Sequence, residues 1–374
     1  MIEYVQVRNT HFETIGIIDT AKSIIWHKVY YGVGDFEIYA QATQEHVNLL
    51  HRGYYITRLN DDEIGIIEKT QITYNAQDGL MIIATGRFAK SILDRRIIYT
   101  LSGTQNKATI LRGNVESAAR ALVANNATAC TFNSNRNISE LQLGAHSGST
   151  KIIVDESGNP ADKQVTNDNL LIYTDALLQE YEMSAKIILS SDETKLEYIC
   201  FEGIDRSTNN ASGIDSVVFS SDFDNLTNSD YISDETNIRN MALIGGEGEG
   251  LDRFYSSIES AETGLARREI FVDGSQIQRK YTDEQDQEHE YSPAEYKELL
   301  NSRGKLELAQ KIQIESFSGT INTASEIWVF GIDYALGDIV TIQDNQIGVY
   351  ANVRITGTTE VQDENGYTVS LDYE

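Results

Sequence analysis

Short segments in which apolar and polar residues alternate recur at regular spacing over the first hundred residues. Such alternation is typical of strands with one buried face. Turn-forming residues at 60–62 and 75–79 separate two pairs of these segments and predict two hairpins. So many short strands predict an antiparallel β barrel or sandwich over residues 1–105. The predicted strands cover residues 4–7, 15–18, 23–31, 36–40, 54–58, 63–69, 71–74 and 80–85.

The pattern changes after residue 105. Apolar residues take helical spacing over 113–125 and again over 169–183, which predicts two helices. A polar stretch lies between them and predicts loops with short strands. Segments 185–189 and 195–201 then alternate around a turn and predict a hairpin. Residues 106–210 are therefore predicted to form an α+β domain.

Strand-like segments return near the C-terminus and predict a second small β barrel or sandwich. We expect residues 217–219 and 240–244 to join it, so the predicted domain combines 211–250 with 312–374. Its remaining predicted strands cover 312–314, 326–330, 338–342, 347–351, 353–356 and 367–371.

Residues 251–311 are predicted to form a mixed helix and strand domain. Segment 254–264 has helical spacing and 267–272 has strand character. Ser292, Pro293 and Glu295 together are typical of a capping box that starts a helix, predicted over 293–311. The residues predicted to be buried on that helix are Tyr296, Leu299, Leu300, Leu306 and Leu308. The predicted fold class is mainly β with α+β insertions.

The chain is strongly acidic, with 57 acidic and 30 basic residues and a net charge of −27. Such a surface repels nucleic acid, which disfavours sequence-specific or phosphate-binding roles. The charge has two interpretations, simple solubility or a surface past which DNA slides. Two cysteines do not provide the spacing of a structural zinc site. No apolar run is long enough to span a membrane, and the first twenty residues do not have the pattern of a secretion signal.

The stretch 217–253 is rich in aspartate and glycine and at first suggests a ligand site. A calcium loop starting at Asp222 and Asp224 fails, because Leu226 and Thr227 stand where a ligand and a glycine are required. A phosphate loop at 245–250 fails because its glycine spacing is wrong and Glu247 and Glu249 would repel phosphate. Turn-forming aspartates and a flexible glycine connector explain the stretch more simply. No metal or cofactor site is predicted.

Residues 86–98 hold the main basic cluster of the chain. It has three interpretations: a phosphate grip, an ion-pair site between subunits or domains, and a solvated face that contributes little to stability. The second is favoured. The candidate subunit-interface residues are Arg87, Asp94, Arg95 and Arg96. No catalytic arrangement can be nominated among the scattered histidines or the many carboxylates.

Five sequence segments resemble the siphophage tail-hub family, whose members often appear as tail-associated lysins. They occur in consistent order over nearly the whole chain. The resembling segments are 26–38 (WHKVYYGVGDFEI), 85–97 (TGRFAKSILDRRI), 218–226 (VFSSDFDNL), 246–250 (GEGEG) and 333–340 (DYALGDIV).

The resemblance implies a fold similar to the central hub of contractile-phage baseplates. Two tube-like antiparallel β barrels per chain would associate as a homotrimer, with mixed domains decorating the ring. Such a structural hub caps the tail tube at the virion tail tip, after assembly in the host bacterial cytoplasm. It gates the exit of DNA, which passes without specific binding. The implied partners are the distal tail protein, the tape measure protein and tail fibre or receptor-binding proteins, which connect it indirectly to the host surface.

Two other functions remain open. Many relatives carry a further C-terminal region with a peptidase, a sugar hydrolase or a fibre, whereas this sequence stops after its second β block. We therefore expect a protein that is not an enzyme, with a tail-associated peptidase or cell-wall hydrolase as the alternative. A receptor-binding or carbohydrate-binding module would need exposed aromatic side chains. Trp26 and Trp328 lie in strand-like segments, where packing in the core is expected.

Overall fold

The computed structural model describes residues 4–59, 61–102, 105–155, 158–282, 287–311, 314–321, 327–345 and 348–374. It is mainly β, with 41% strand and 20% helix. The chain forms two compact units. The first unit contains Met1–Ser91, Ser184–Ile232 and Glu315–Glu374, and the second contains Ile92–Met183 and Ser233–Ile314. Each unit is thus assembled from segments that are far apart in sequence.

The strands, in chain order, are β1 (Val5–Arg8), β2 (Thr14–Ile18), β3 (Ser23–Val29), β4 (Asp35–Gln41), β5 (Tyr55–Arg58), β6 (Gly65–Asn75), β7 (Gly79–Phe88), β8 (Thr100–Ser102), β9 (Gln105–Lys107), β10 (Thr109–Leu111), β11 (Leu141–Leu143), β12 (Lys163–Val165), β13 (Ser184–Leu189), β14 (Leu196–Phe201), β15 (Val218–Ser220), β16 (Leu226–Asp234), β17 (Met241–Gly245), β18 (Tyr255–Ile258), β19 (Glu269–Asp273), β20 (Lys280–Thr282), β21 (Glu288–Glu290), β22 (Ile314–Ile321), β23 (Ile339–Asp344), β24 (Val349–Asp363) and β25 (Gly366–Tyr373). The α-helices are α1 (Gln44–Leu49), α2 (Val115–Val123), α3 (Leu170–Glu180) and α4 (Pro293–Ala309). One π turn, Ala124–Thr128, continues α2, and short 3-10 helices cover Ala89–Arg95, Ser134–Arg136, Ser221–Phe223, Gly250–Asp252 and Gly264–Ala266.

One large sheet runs through the first unit. Its strand order is β16-β22-β25-β24-β3-β4-β7-β6-β5-β1-β2, with β23 paired to β24 and β15 paired to β23. Pairing of β24 with β3 joins the C-terminal strands to the N-terminal strands. In the part of the chain that is described, no sheet closes into a barrel, so the barrels remain a proposal.

The N-terminal strands surround their own core, as their alternation predicts. Trp26 is fully buried there and its ring contacts Phe36 and Phe88. The predicted hairpins are confirmed, because β5 pairs with β6 and β6 pairs with β7 in antiparallel register. The N-terminal block is defined here as β1–β7 with α1.

A second core lies among β15, β23, β24 and β25, and these strands with β16 and β22 form the C-terminal block. Phe219 is fully buried at its centre and contacts Tyr334 and Tyr373. Trp328 is partly buried against this core, as expected. Tyr367 packs against both cores. The two blocks are therefore neighbours within one unit.

Tyr30 joins three segments of the first unit. Its backbone N–H donates to Thr356 O at 2.8 Å, its carbonyl accepts from Ser184 Oγ, and its hydroxyl accepts from Gly203 N–H at 3.2 Å. Gly337, which has a φ of +95°, lies against the Tyr30 ring where a Cβ atom would clash. The hairpin β13–β14, confirmed as predicted, is held in this unit.

The second unit contains the predicted helices. Asn114 caps α2, Asn169 caps α3, and Ser292 with Glu295 forms the predicted capping box of α4. The residues predicted to be buried on α4 are buried or partly buried, and all but Leu306 belong to or pack against the core of this unit: Tyr296, Leu299, Leu300, Leu306 and Leu308.

Two predictions about the segments before α4 are wrong. Residues 254–264 do not form the predicted helix but contain strand β18, in which Ser256 bonds Asn301 of α4 and Ile258 lies against Gly304 of α4. Strand β17 exists, but it pairs with β18 and β19 and packs against α4 instead of joining the C-terminal block. Its buried residues Ala242 and Ile244 complete the core of the second unit.

Candidate functional site

The first unit contains a cleft of about 1070 Å³ where the N-terminal and C-terminal blocks meet. Arg58, Leu59 and 61–63 line it, together with residues from 201–206 and 329–338 and with Lys28 and Glu360. Charged side chains of both signs are concentrated at this place, several of them out of contact with water. The cleft is therefore the candidate functional site.

Asp61 is the centre of the charged cluster. Its side chain is only 1% exposed, and its Oδ2 lies 3.0 Å from Lys28 Nζ and 3.0 Å from Arg58 Nε. The same oxygen accepts from Trp26 Nε1 at 3.1 Å, while Oδ1 accepts from Glu63 N–H at 2.9 Å. The bond from Glu63 N–H closes a local turn of the kind that aspartate favours. It holds the Asp61 carboxylate between the two cations.

Arg58 extends the cluster from the N-terminal block to the C-terminal block. Its guanidinium pairs with Glu360 of β24 and lies 5.2 Å from the centroid of the Trp26 ring. Glu360 also accepts from Tyr367 Oη at 2.5 Å. Both charges of the pair are at least nine-tenths buried. Losing either one would leave the other charge buried and unpaired.

The electrostatics of Asp61 follow from this arrangement. Burial alone would raise the pKa of its carboxyl, but the charges of Lys28 and Arg58 lower that pKa to about 2. Burial also lowers the pKa of Lys28, and the charges of Asp61 and Glu63 more than compensate, so that the pKa is raised. These groups therefore stay ionised across the physiological pH range.

Glu63 behaves in the opposite way. Burial raises the pKa of its carboxyl to about 7; the charge of Asp61 adds to this effect, while that of Lys28 opposes it. It is a group of the cleft that changes its charge near neutral pH. A carboxyl group with a pKa near 7 is suited to proton transfer. A raised pKa is also a common consequence of burial alone.

The other side of the cleft is tied by a second buried carboxylate. Asp338 pairs with Arg206 Nε at 2.9 Å and accepts from Ile204 N–H at 2.7 Å and Ala335 N–H at 3.0 Å. Asp338 belongs to the segment 333–340, so part of that motif is explained by its role in holding two chain segments together. At the cleft mouth, Asp62 pairs with Lys186.

The predicted interface residues are divided between the two units. Arg87 in the first unit pairs with Glu68 across β6 and β7 at 2.9 and 3.0 Å. In the second unit, Asp94 Oδ1 accepts from the Asn169 amide at 3.0 Å and Arg96 Nε donates to Arg136 O at 3.0 Å. Arg95 is exposed. Their role at a subunit interface stays a prediction.

Asp222 and Asp224 of the stretch 217–253 lie in a turn, whereas Asp230 and Asp234 belong to β16. Asp222 lies within the 3-10 turn Ser221–Phe223 and its N–H donates to Ser220 Oγ, and Asp224 has a φ of +54°. In the described residues, no group of three or more His, Cys, Asp or Glu side chains is placed to hold a metal ion.

The Gly246–Gly250 connector differs from the expected flexible link between domains. It turns β17 back into β18 within one unit. Tyr296 Oη accepts from Glu247 N–H at 2.8 Å and donates to Ile277 O at 2.6 Å, which anchors the turn. A Cβ atom at Gly246 would lie 2.8 Å from that hydroxyl, so this close approach explains the glycine.

The cleft residues themselves were not found in the sequence. Residues 60–62 predict only a hairpin turn, and Asn60 lies outside the described residues. No periodicity links Arg58 to Glu360, which is 302 positions away. The only local signal was the charge density of 58–63.

The profile of the family described as "Siphovirus ReqiPepy6 Gp37-like protein" matches residues 4–372. The chain belongs to this family. The recognition of a siphophage tail family from the sequence motifs is thereby confirmed. No curated protein matches the sequence.

Two solved phage tail proteins have a similar fold. The tail protein from Neisseria meningitidis MC58 has 12% identity and a TM-score of 0.56, covering 99% of this chain and 95% of that one. The 43 kDa tail protein of prophage MuSo2 from Shewanella oneidensis has 12% identity and a TM-score of 0.55, covering 99% and 98%. At this identity the likeness establishes the fold. None of the helices in the described residues is long and apolar enough to cross a membrane.

Proposed function

We propose that this protein is a structural hub of a phage or prophage-derived tail tip, in which three copies form a ring that caps the tail tube and gates the exit of DNA. The observation that carries the proposal is the pair of β blocks in one unit. Each has its own core, and one sheet runs through both. Two β blocks per chain would allow three chains to place six blocks around a tube.

The two blocks are proposed to act as tube-like barrels. The predicted bounds are residues 1–105 for the first barrel, and residues 211–250 with 312–374 for the second barrel. We propose further that β17 does not belong to the second barrel, because it pairs with β18 and β19. Residues 106–210 and 251–311 would then decorate the ring, apart from the hairpin β13–β14.

The ends of the large sheet support association between copies. In the described residues, β2 and β16 each pair on one side only and end the strand order. Unpaired sheet edges are common sites of strand addition. Ile15 and Ile17 on β2 are exposed, which adds apolar surface at that edge.

The charge supports passage of DNA without binding. A net charge of −27 repels the phosphate backbone. We propose that acidic side chains face the lumen, that the distal tail and tape measure proteins bind the ring, and that fibre or receptor-binding proteins link it to the host surface. Its site would be the virion tail tip, after assembly in the host cytoplasm.

Mass in solution tests the ring. Light scattering on the purified chain at micromolar concentration should give three times the chain mass of 41.8 kDa. A monomer at that concentration would contradict the self-assembling ring, although it would leave membership of the family untouched.

A tail-associated peptidase or cell-wall hydrolase is a second candidate. The observation that favours it is Glu63, a carboxyl with a pKa of about 7 in a large cleft. Clear lysis of purified cell wall in a zymogram, lost in Glu63→Gln, would establish it. Absence of lysis in the wild type would leave the structural hub as the sole proposal.

A further inference from the structure

The second unit exposes an apolar sheet face. Strands β17, β18 and β19 cover α4 with one face, and the opposite face carries Leu243, Tyr255 and Phe271, which are 39–52% exposed. Leu243 stands directly beside Phe271 in the parallel pairing of β17 with β19. Tyr255 lies opposite Gly245, two positions along the same face. These three side chains therefore form one surface, called here the outer face.

Two leucines flank the outer face. Leu251 lies in the turn from β17 to β18, and Leu265 lies in the loop from β18 to β19, at the opposite end of the sheet. Both side chains are fully exposed. Exposed large apolar side chains in this number on and around one small sheet are typical of an interaction site.

Arg253 fixes the geometry of the outer face. It donates from Nε to Gly246 O and from Nη2 to Gly245 O, both at 3.0 Å, and it pairs with Asp273 at 2.6 Å. Its guanidinium lies 5.8 Å from the Tyr255 ring centroid and 5.5 Å from that of Phe271. The rings are thus held in place before any partner arrives, which reduces the entropy cost of binding.

The charges around the face select the partner. Residues 241–273 contain seven carboxylates and three arginines. Each arginine is already paired within the unit: Arg253 with Asp273, Arg267 with Glu259 and Glu269, and Arg268 with Glu235. Among the described residues, Glu249, Asp252 and Glu262 have no ion-pair partner. They lie in the two connections between the strands, called here the rim of the outer face, and the rim is therefore net negative.

We propose that the outer face is a docking site for a segment of another protein in which large apolar side chains alternate with lysine or arginine. Apolar side chains would cover Leu243, Tyr255 and Phe271, while the basic ones would meet the carboxylates of the rim. A second copy of this chain is a poor occupant, because it would bring the same acidic rim and a net charge of −27. The proposal does not need a trimeric ring, so the failure of either leaves the other standing.

A designed peptide tests the docking site. A fluorescent twelve-residue peptide of alternating leucine and lysine is titrated with the full chain, and binding is followed by anisotropy. The double variant Leu243→Ser with Phe271→Ser should bind at least about tenfold more weakly, since two apolar contacts are lost. Glu249→Lys with Glu262→Lys should weaken binding and reduce its dependence on salt.

Matched controls separate docking from general attraction of a basic peptide to an acidic protein. Tyr74→Ser replaces an even more exposed aromatic side chain of β6, on the first unit, and should leave affinity unchanged. A serine and lysine peptide of equal charge should bind weakly to every variant. Equal affinity of the wild type and the Leu243 and Phe271 variant would overturn the proposal. So would a change in the oligomeric mass of that variant, because the occupant would then be a second copy.

Discussion

Arg58 and Glu360 stand 302 residues apart and form an ion pair that links the N-terminal block to the C-terminal block. The pair is buried beside Trp26, and Asp61 Oδ2 lies 2.8 Å from Nη2 of the same guanidinium. Because both charges are buried, removal of one leaves the other without its partner, so this contact makes the packing of the two blocks sensitive to single substitutions.

Replacement of Glu360 by Gln should lower the free energy of unfolding of the protein by about 3 kcal/mol, since Arg58 loses a buried partner. Urea denaturation measures the loss. Glu68→Gln is the matched control, because the Arg87–Glu68 pair is partly exposed and should cost under about 1 kcal/mol. Equal losses in the two variants would show that the Arg58–Glu360 pair has no special role.

Asp61 should stabilise the fold at neutral pH and cease to do so in acid. Its pKa is about 2 in the folded protein against 3.8 in the unfolded chain, so its contribution is present above pH 3.8 and is lost as pH falls through 2. That difference corresponds to about 2 kcal/mol. Asp61→Asn should therefore be most destabilising above pH 4, whereas the adjacent, half-exposed Asp62→Asn should cost under about 1 kcal/mol at any pH. A constant cost for Asp61→Asn down to pH 2 would refute the assignment.

Glu63 should act in the opposite direction, with Lys28, Asp61, Asp62 and Lys186 as the charges around it. Its folded pKa of about 7 exceeds the ordinary 4.5, so its favourable contribution is complete below pH 4.5 and is lost as pH rises through 7.

The wild type should lose up to about 3 kcal/mol of stability over this interval. Glu63→Gln should match the wild type at pH 4 and exceed it at pH 8 in thermal denaturation. Glu140→Gln, at an exposed position, is the control and should follow the wild type throughout. No gain for Glu63→Gln at pH 8 would contradict the raised pKa.

Gly337 should not tolerate a side chain. Its φ of +95° already disfavours alanine, and the added Cβ atom would collide with the buried Tyr30 ring. Gly331, with a φ of +82° and open space around it, separates the two effects. Gly331→Ala should cost about 1 kcal/mol from backbone strain alone, and Gly337→Ala should cost several times more. Similar costs in urea denaturation would mean that the contact with Tyr30 is unimportant.

Hairpins and the start of a helix could be predicted from the sequence, because neighbouring residues determine them. Hairpins β5–β6 and β6–β7 follow from alternation and turn residues, and the start of α4 follows from Ser292, Pro293 and Glu295. The prediction of secondary structure failed where the burial of a segment depends on partners that are distant in sequence. Residues 254–264 have helical spacing, yet β18 forms there because β17 pairs alongside it.

The candidate site could not be predicted from the sequence, because it too depends on residues that are distant in sequence. Arg58, Asp61 and Glu360 are ordinary charged residues in the sequence, and only the pairing of β24 with β3 brings Glu360 beside Trp26. The glycines at 246–250 were misinterpreted as flexible, because the hydroxyl that anchors them belongs to Tyr296, about fifty positions away.

The central claim is that the two β blocks of each chain build a ring. A projection image of the purified particle by electron microscopy tests it most directly. The account predicts a closed ring of three chains around an open or plugged centre, with six similar densities where the blocks lie. Isolated single chains, or a closed assembly without threefold symmetry, would contradict it.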